Sequence, residues 1–440
     1  MAEKIALISL GCAKNLVNSE QMLCLLDAAG YETVADPDGA DAAIVNTCGF
    51  IDSAKSEAIG QILALAALKA AGRLGKIIVA GCLSQRYQDV ICTELPEIDS
   101  VMGVGSYGEI VSVVERTLAG EQVRAFGDKN HTDEELPRIV TTGPGWAYLK
   151  IAEGCDNCCA YCVIPSIRGR YRSRPMENLL EEARALAAGG AREIIVVAQD
   201  ITRYGTDLYG APRLAELVEG LCAIEEVQWV RLHYLYPEMV DERLIDTVAR
   251  EAKVVKYLDI PIQHINDAIL RRMRRRDTGT EIRGLFTRLR ERIPDLVLRT
   301  SLITGLPGEG ETEFEELCQF LREYRLERVG VFPYSPEEGT PAAAMPDRCD
   351  GEEAERRAGQ ILDLQSGIMD AWCEKQVGRT LPVLCQAWDA ESECWWGRSP
   401  YDSPDIDGRV LFQGNAAPGD IVPVEITGVL DGDLIGESAL

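Results

Sequence analysis

Residues Lys76–Cys82 read KIIVAGC, an apolar run that ends on glycine and cysteine. The same pattern occurs at Ile5–Cys12 (IALISLGC) and Ala42–Cys48 (AAIVNTC), so a cysteine follows each of three strand candidates in the first third of the chain. Cys12, Cys48 and Cys82 recur at intervals of 36 and 34 residues, close to one βα unit each. Helical patterning over Asn18–Ala29 and Ile51–Ala71 fills the gaps, with Gly30 and Gly72 placed as C-caps. Parallel α/β sheets hold ligands just beyond the carboxyl ends of their strands. The three thiols are therefore expected on one rim of a small doubly wound α/β domain, residues 1–126.

Composition sets the context. A chain of 440 residues with 46% apolar content predicts about two or three domains with proper cores. No stretch reaches the ~20 apolar residues of a membrane span, and MAEKIALISLGCAKN reads as a first strand rather than a signal peptide. Fifteen cysteines without an export signal favour metal or redox chemistry in a reducing, cytoplasmic setting over a disulfide framework. Three histidines (His131, His233, His264) make His-rich zinc or di-iron sites a poor fit. A net charge of −26 argues against broad affinity for nucleic acid and fits a basic macromolecular partner, although many enzymes are simply acidic.

The segment 127–145 (GDKNHTDEELPRIVTTGPG) reads as a linker. From 146 to 371 the βα alternation resumes, with strand candidates Ala147–Ala152, Glu193–Ala198, Gln228–Leu235, Tyr257–Ile262, Leu296–Ile303 and Val329–Tyr334. Six parallel strands suggest a partial (β/α)6 barrel. Polar residues gather at the expected strand ends: Gln199 with Asp200, His233, Gln263 with His264, and Arg299 with Thr300. In barrel enzymes that rim is the active face. From 376 to 440 the helical period is lost, and short alternating runs such as Arg409–Gln413 and Asp420–Gly428 predict a small all-β barrel.

A fourth strand candidate, AYLKIAEGC, opens the run EGCDNCCAYCVIPSIRGR at Glu153–Arg170. Cys155, Cys159 and Cys162 give C-x-x-x-C-x-x-C, with Tyr161 just before the last cysteine; Cys158 also allows C-x-x-C-x-x-x-C with Cys155 and Cys162. A [4Fe–4S] cube needs four ligands, so three thiolates leave one iron open. A zinc loop would want a fourth thiolate or histidine, and none lies near in sequence. Two three-thiolate groups on one chain imply two [4Fe–4S] clusters, each with an open iron. The remaining cysteines lack ligand spacing and read as packing.

This spacing, with its aromatic, resembles the radical S-adenosylmethionine (SAM) enzymes over about 146–371. The resemblance implies that SAM binds the open iron and that its cleavage yields a 5′-deoxyadenosyl radical. It also implies a SAM pocket formed by Tyr161, Gln199, Asp200, Gln263, Arg299, Ile303 and Gly305, the last two within SLITGLPGE (Ser301–Glu309). SLGCAKN, VNTCGFI and VAGCLSQRY resemble the amino-terminal domain of one subgroup, the methylthiotransferases, and the tail resembles their TRAM domain. Catalytic residues beyond the cluster ligands are not indicated.

Within that subgroup, Lys256–His264 (KYLDIPIQH), HYLYP from His233 and Gly397–Gly408 (GRSPYDSPDIDG) resemble the branch that modifies a ribosomal protein. The tail carries eleven acidic residues against three arginines, an arrangement badly suited to phosphate and better suited to a basic protein. On this reading Asp402, Asp405 and Asp407 belong to an acidic partner-binding surface. The resemblance implies methylthiolation of the β-carbon of an aspartate in small-subunit ribosomal protein number twelve, with a second SAM as methyl donor and an external electron donor. A transfer-RNA adenosine methylthiotransferase is the alternative, and it predicts an RNA-binding, less acidic tail. An electron carrier would instead need fully ligated clusters. The run Arg271–Arg276 (RRMRRR) reads as a solvated helix end.

Overall fold

The three cysteine-ending runs form strands of one parallel sheet in the computed structural model, which describes residues 2–130 and 135–439. The strands are β1 (Lys4–Ser9), β2 (Glu32–Val34), β3 (Ala42–Thr47), β4 (Lys76–Gly81), β5 (Ser100–Met102) and β6 (Arg124–Ala125). Their order is β2-β1-β3-β4-β5-β6, and every pairing is parallel. The order reverses between β1 and β3, the switch point at which open α/β sheets bind ligands. Cys12 and Cys48 follow those two strands, and Cys82 follows the next one.

Strand β3 is buried along its whole length, and its period-two side chains split between two cores. Ile44 and Ile78 pack with Ile5, Met102 and Ile110 on one face. Val45 and Val79 pack with Ile62, Leu65 and Val101 on the other. Each such side chain is worth about 1.5–3 kcal/mol relative to exposure. Helices α1 (Ala13–Ala28), α2 (Asp52–Ala70) and α3 (Cys82–Tyr87) cover the sheet. Helix α1 starts earlier than the expected Asn18. Its first turns bury Lys14, Asn15, Asn18 and Ser19, so the apolar period that marks a helix is missing there.

By compactness the chain divides into two units. The first combines Met1–Thr141 with Ala152–Arg174 and Ser335–Ala343; the second combines Thr142–Ile151, Pro175–Tyr334 and Ala344–Leu440. The segment read as a linker is anchored within the first unit by Arg138, which bonds Glu20 at 2.8 Å. Of that segment, residues 131–134, including His131, lie outside the described residues.

The second unit begins with β7 (Trp146–Lys150), while the short antiparallel pair β8 (Ala152–Glu153) and β9 (Arg172–Ser173) lies in the first. Strands β10 (Glu193–Val197), β11 (Trp229–Leu232), β12 (Val254–Asp259), β13 (Val297–Thr304) and β14 (Arg328–Pro333) join β7 in chain order as an open six-stranded sheet, all parallel. Strands β15 (Thr380–Asp389), β16 (Cys394–Arg398), β17 (Val410–Gln413), β18 (Ile421–Leu430) and β19 (Asp433–Ser438) close into a barrel ordered β15-β16-β17-β19-β18. No helix among the described residues is long and apolar enough to cross a membrane.

Gly397–Gly408 is not an acidic outer surface but packs inward against the parallel sheet of its own unit. Arg328 donates to Asp402 Oδ1 at 2.9 Å, and the Ser399 hydroxyl donates to Asp402 Oδ2 at 2.5 Å. Tyr257 donates its hydroxyl proton to Asp407 Oδ2 at 2.6 Å, and Ser403 Oγ lies 3.0 Å from His233 Nε2. Both carboxylates are therefore committed to internal partners, and only Asp405 of the three is exposed. The three segments that resemble the ribosomal-protein branch thus meet one another inside the second unit.

The arginine run also divides. Arg271, Arg274 and Arg276 are exposed, but Arg275 is buried over the Tyr236 ring at 4.3 Å and donates to the Pro261 carbonyl at 3.2 Å.

A buried ion cluster fastens the closed barrel to the sheet. Glu193 accepts from Arg231 and Arg398, each at 2.6 Å, and all three side chains are almost fully buried. Burial works against ionisation of Glu193, yet the two guanidinium groups outweigh it and hold the carboxyl below the ordinary glutamate range. Its stabilisation is therefore present at neutral pH and is lost as the pH falls through that depressed value. Replacing Glu193 with Gln leaves two uncompensated guanidinium groups, so a loss of about 3–5 kcal/mol is expected. A lowered urea midpoint would show it; an unchanged midpoint would contradict it.

Candidate functional site

The rim of the first sheet depends on two glycines. Gly81 precedes Cys82 at φ +95°, and a Cβ there would meet Asn46 Oδ1 at 2.4 Å and the Thr47 carbonyl oxygen at 2.6 Å. Gly11 precedes Cys12 at φ +88°, and a Cβ there would lie 2.6 Å from Cys48 Cβ. Only a residue without a side chain lets the three strand ends approach this closely. Cys12 then caps α1, and Cys82 begins α3.

The three thiols lie in one electrostatic environment. Burial, then Cys82 and Cys12, push the Cys48 thiol up to about 12. Burial also raises Cys82, against the pull of Arg168. At Cys12 burial is outweighed by Lys14, Arg168 and the backbone N–H groups of Asn15 and Lys14, so its thiol is lowered. Beneath them lies a buried polar layer: Asn15 donates to the Leu10 carbonyl at 2.7 Å, and Asn46 donates to Ser19 Oγ at 2.8 Å.

The second trio sits in the loop between β8 and β9. Cys155 and Cys159 are buried, and Cys162 is partly so. Burial, then Cys159 and Cys155, raise the Cys162 thiol. Backbone N–H groups already point at sulfur: Asn157 N–H donates to Cys155 Sγ at 3.4 Å and Ile164 N–H to Cys162 Sγ at 3.5 Å. Cys158 is exposed, its sulfur 3.7 Å from the Asp156 carbonyl oxygen. Tyr161 lies in the turn of this loop, partly buried.

Among the described residues no group of three or more His, Cys, Asp or Glu side chains stands at single-ion distance. The donor set is all sulfur and supplied with N–H donors, so both trios fit an iron–sulfur cluster.

In the second unit Gln199 and Asp200 follow β10. Asp200 is fully buried; its Oδ1 accepts from the Thr202 backbone and hydroxyl, and its Oδ2 faces Arg203 at 3.4 Å. Gln263 lies beside β13: its N–H donates to the Ser301 carbonyl at 2.9 Å, and its carbonyl accepts from Ile303 N–H at 2.9 Å. Gly305 N–H donates to Glu309 Oε1 at 2.9 Å, the same oxygen that accepts from Arg357 at 2.8 Å. Glu309 Oε2 lies 3.5 Å from His264 Nε2. Burial disfavours the Glu309 carboxylate, but His264, the Gly305 N–H and Arg357 hold its carboxyl below the usual range.

Arg299 departs from expectation. Strand β13 runs on to Thr304, so Arg299 lies in its first half, not at its end. It shares a face with Ser301 and Ile303, donates to Asp259 Oδ1 at 2.8 Å, and lines a cavity of about 310 Å³ with Val329, Met369 and Asp407. Sequence reading passed over Arg168, Asn15, Asn18 and Glu309. Asn15 and Asn18 follow Cys12 at helical spacing, a signal that was present but unread.

Family models match the chain in three places. Residues 4–103 match the model described as Uncharacterized protein family UPF0004, 149–321 the Radical SAM superfamily, and 377–438 the TRAM domain. The solved structure of the radical SAM methyltransferase TsrM from Kitasatospora setae shares the fold at a TM-score of 0.57, over 93% of this chain and 85% of that one, at 13% identity. Fold and site define a radical SAM enzyme that carries a TRAM domain. Ribosomal protein uS12 methylthiotransferase RimO of Geobacter sulfurreducens is 50% identical over 99% of this chain and 98% of its own length. The RimO of Pelotomaculum thermopropionicum is 47% identical over the full length of both. The chain belongs to the RimO family of radical SAM methylthiotransferases, which implies SAM and a [4Fe–4S] cluster.

Proposed function

We propose that this enzyme attaches a methylthio group to the β-carbon of an aspartate in ribosomal protein uS12. The observation that carries this is the full-length identity to proteins named for that activity. In the first unit, Cys155, Cys159 and Cys162 would hold one [4Fe–4S] cluster with an iron left for SAM, and Tyr161 would lie along the adenine. Cys12, Cys48 and Cys82 would hold a second cluster, also with an open iron. In the second unit, Gln199, Gln263, Ile303 and Gly305 are the proposed SAM contacts. Asp200, which shapes the turn that carries Gln199, and Arg299, which bonds Asp259, complete the proposed SAM pocket.

Cluster and SAM together supply the radical needed at an unactivated C–H bond. The chain's own residues position and enclose. The pairing of Gln263 with β13 and the Glu309 bonds to Gly305 and Arg357 hold the Ser301–Glu309 segment through the chain's own bonds. Such preorganisation removes an ordering cost from binding. The domain roles follow: 1–126 for the second cluster, 146–371 for radical chemistry and 376–440 as the TRAM barrel. An external one-electron donor is required as partner.

Mass spectrometry of ribosomal proteins and transfer RNA from a strain lacking this enzyme tests the assignment. Loss of methylthioaspartate from uS12, with methylthiolated transfer RNA unchanged, is the expected result. Loss from transfer RNA alone would overturn it in favour of the adenosine-modifying alternative.

A further inference from the structure

We propose that Arg168 is a positioning residue that links the two thiol trios of the first unit and sets the reduction potential of the cluster held by Cys12, Cys48 and Cys82. The proposal rests on the two-cluster reading. Arg168 ends the short helix Ile164–Arg168, six residues after Cys162. Its side chain is only 2% exposed. Nε donates to Cys82 Sγ at 3.3 Å, and Nη2 donates to Asn15 Oδ1 at 3.1 Å. Nη1 donates to Asn18 Oδ1 at 3.2 Å and to Glu153 Oε2 at 2.9 Å. The next residue, Gly169, accepts the Cys155 N–H at 3.1 Å through its carbonyl. One peptide unit therefore separates the bond that touches Cys82 from the bond that fixes Cys155.

Stability alone gives little reason for this arrangement, because a buried ion pair roughly breaks even against apolar packing. What the guanidinium does that packing could not is aim an N–H and a positive charge at a ligand sulfur. Hydrogen bonds to sulfur and net charge set the potentials of iron–sulfur clusters, and outer partners orient the ligands themselves. The reduced form carries one more negative charge, so Arg168 stabilises it and raises the potential. Glu153, bonded to the same guanidinium, offsets part of that effect.

The opposite signs provide the test. In a chain whose Cys155, Cys159 and Cys162 are alanine, the proposed second cluster is the one that remains. It can be titrated electrochemically and followed by electron paramagnetic resonance. Arg168→Gln should move the midpoint to more negative potential, Arg168→Lys should move it less, and Glu153→Gln should move it to more positive potential. About four irons per chain should be retained. If Arg168→Gln fails to fold, the Arg168→Lys and Glu153→Gln chains carry the comparison. A purely structural role predicts cluster loss without opposed shifts. Equal midpoints, or a negative shift in Glu153→Gln, would overturn the proposal. A background chain with no iron after anaerobic reconstitution would overturn the two-cluster reading and the proposal with it.

Discussion

Replacing Cys155, Cys159 and Cys162 together with alanine is expected to abolish SAM cleavage and to halve the iron, from about eight to about four per chain. The loop between β8 and β9 carries all three thiols, and its backbone N–H groups face the sulfurs of Cys155 and Cys162. Alanine keeps that backbone and removes the ligands, so the chemistry should vanish without loss of the fold. Anaerobic reconstitution with iron counting, and chromatography of 5′-deoxyadenosine, measure the two effects. If the triple variant still forms 5′-deoxyadenosine, the site has been misassigned.

Replacing Cys12, Cys48 and Cys82 should divide the reaction differently. SAM cleavage is expected to remain measurable, because the other trio is intact, while methylthiolated product falls below detection. These thiols crown the switch point of the sheet, where ligands of open α/β folds bind. Alanine keeps the Cβ atoms against which Gly11 is packed, so folding should survive. Methylthiolated product from this variant would contradict a role for that trio in sulfur insertion.

The sheets were legible because parallel strands buried on both faces are written as unbroken apolar runs. KIIVAG and AAIVNT are such runs, and both are strands to within a residue. The cysteines were legible because they end those runs. Residues whose partners are distant in sequence were not. Arg168 lies 86 residues from Cys82, and no local pattern distinguishes it from a surface arginine. Asp402 and Asp407 sit among Pro, Gly and Ser, a composition that reads as exposed loop, yet Arg328 and Tyr257 draw them inward. Arg299 lies in the first half of β13 because the polar side chains of Arg299, Thr300 and Ser301 fall within the strand and not beyond its end. The inclusion of Ala152–Arg174 and Ser335–Ala343 in the first unit was likewise invisible, since it depends on non-local bonds such as that from Arg86 to Glu337 at 2.7 Å.

The central claim is that this chain places sulfur and a methyl group on uS12. The most direct test incubates the anaerobically reconstituted enzyme with purified uS12, SAM and a reductant, and then fragments the protein in a mass spectrometer. The account predicts a single aspartate in which one hydrogen is replaced by a methylthio group, with 5′-deoxyadenosine formed alongside. Unmodified uS12 in the presence of 5′-deoxyadenosine formation, with transfer RNA modified in its place, would contradict it.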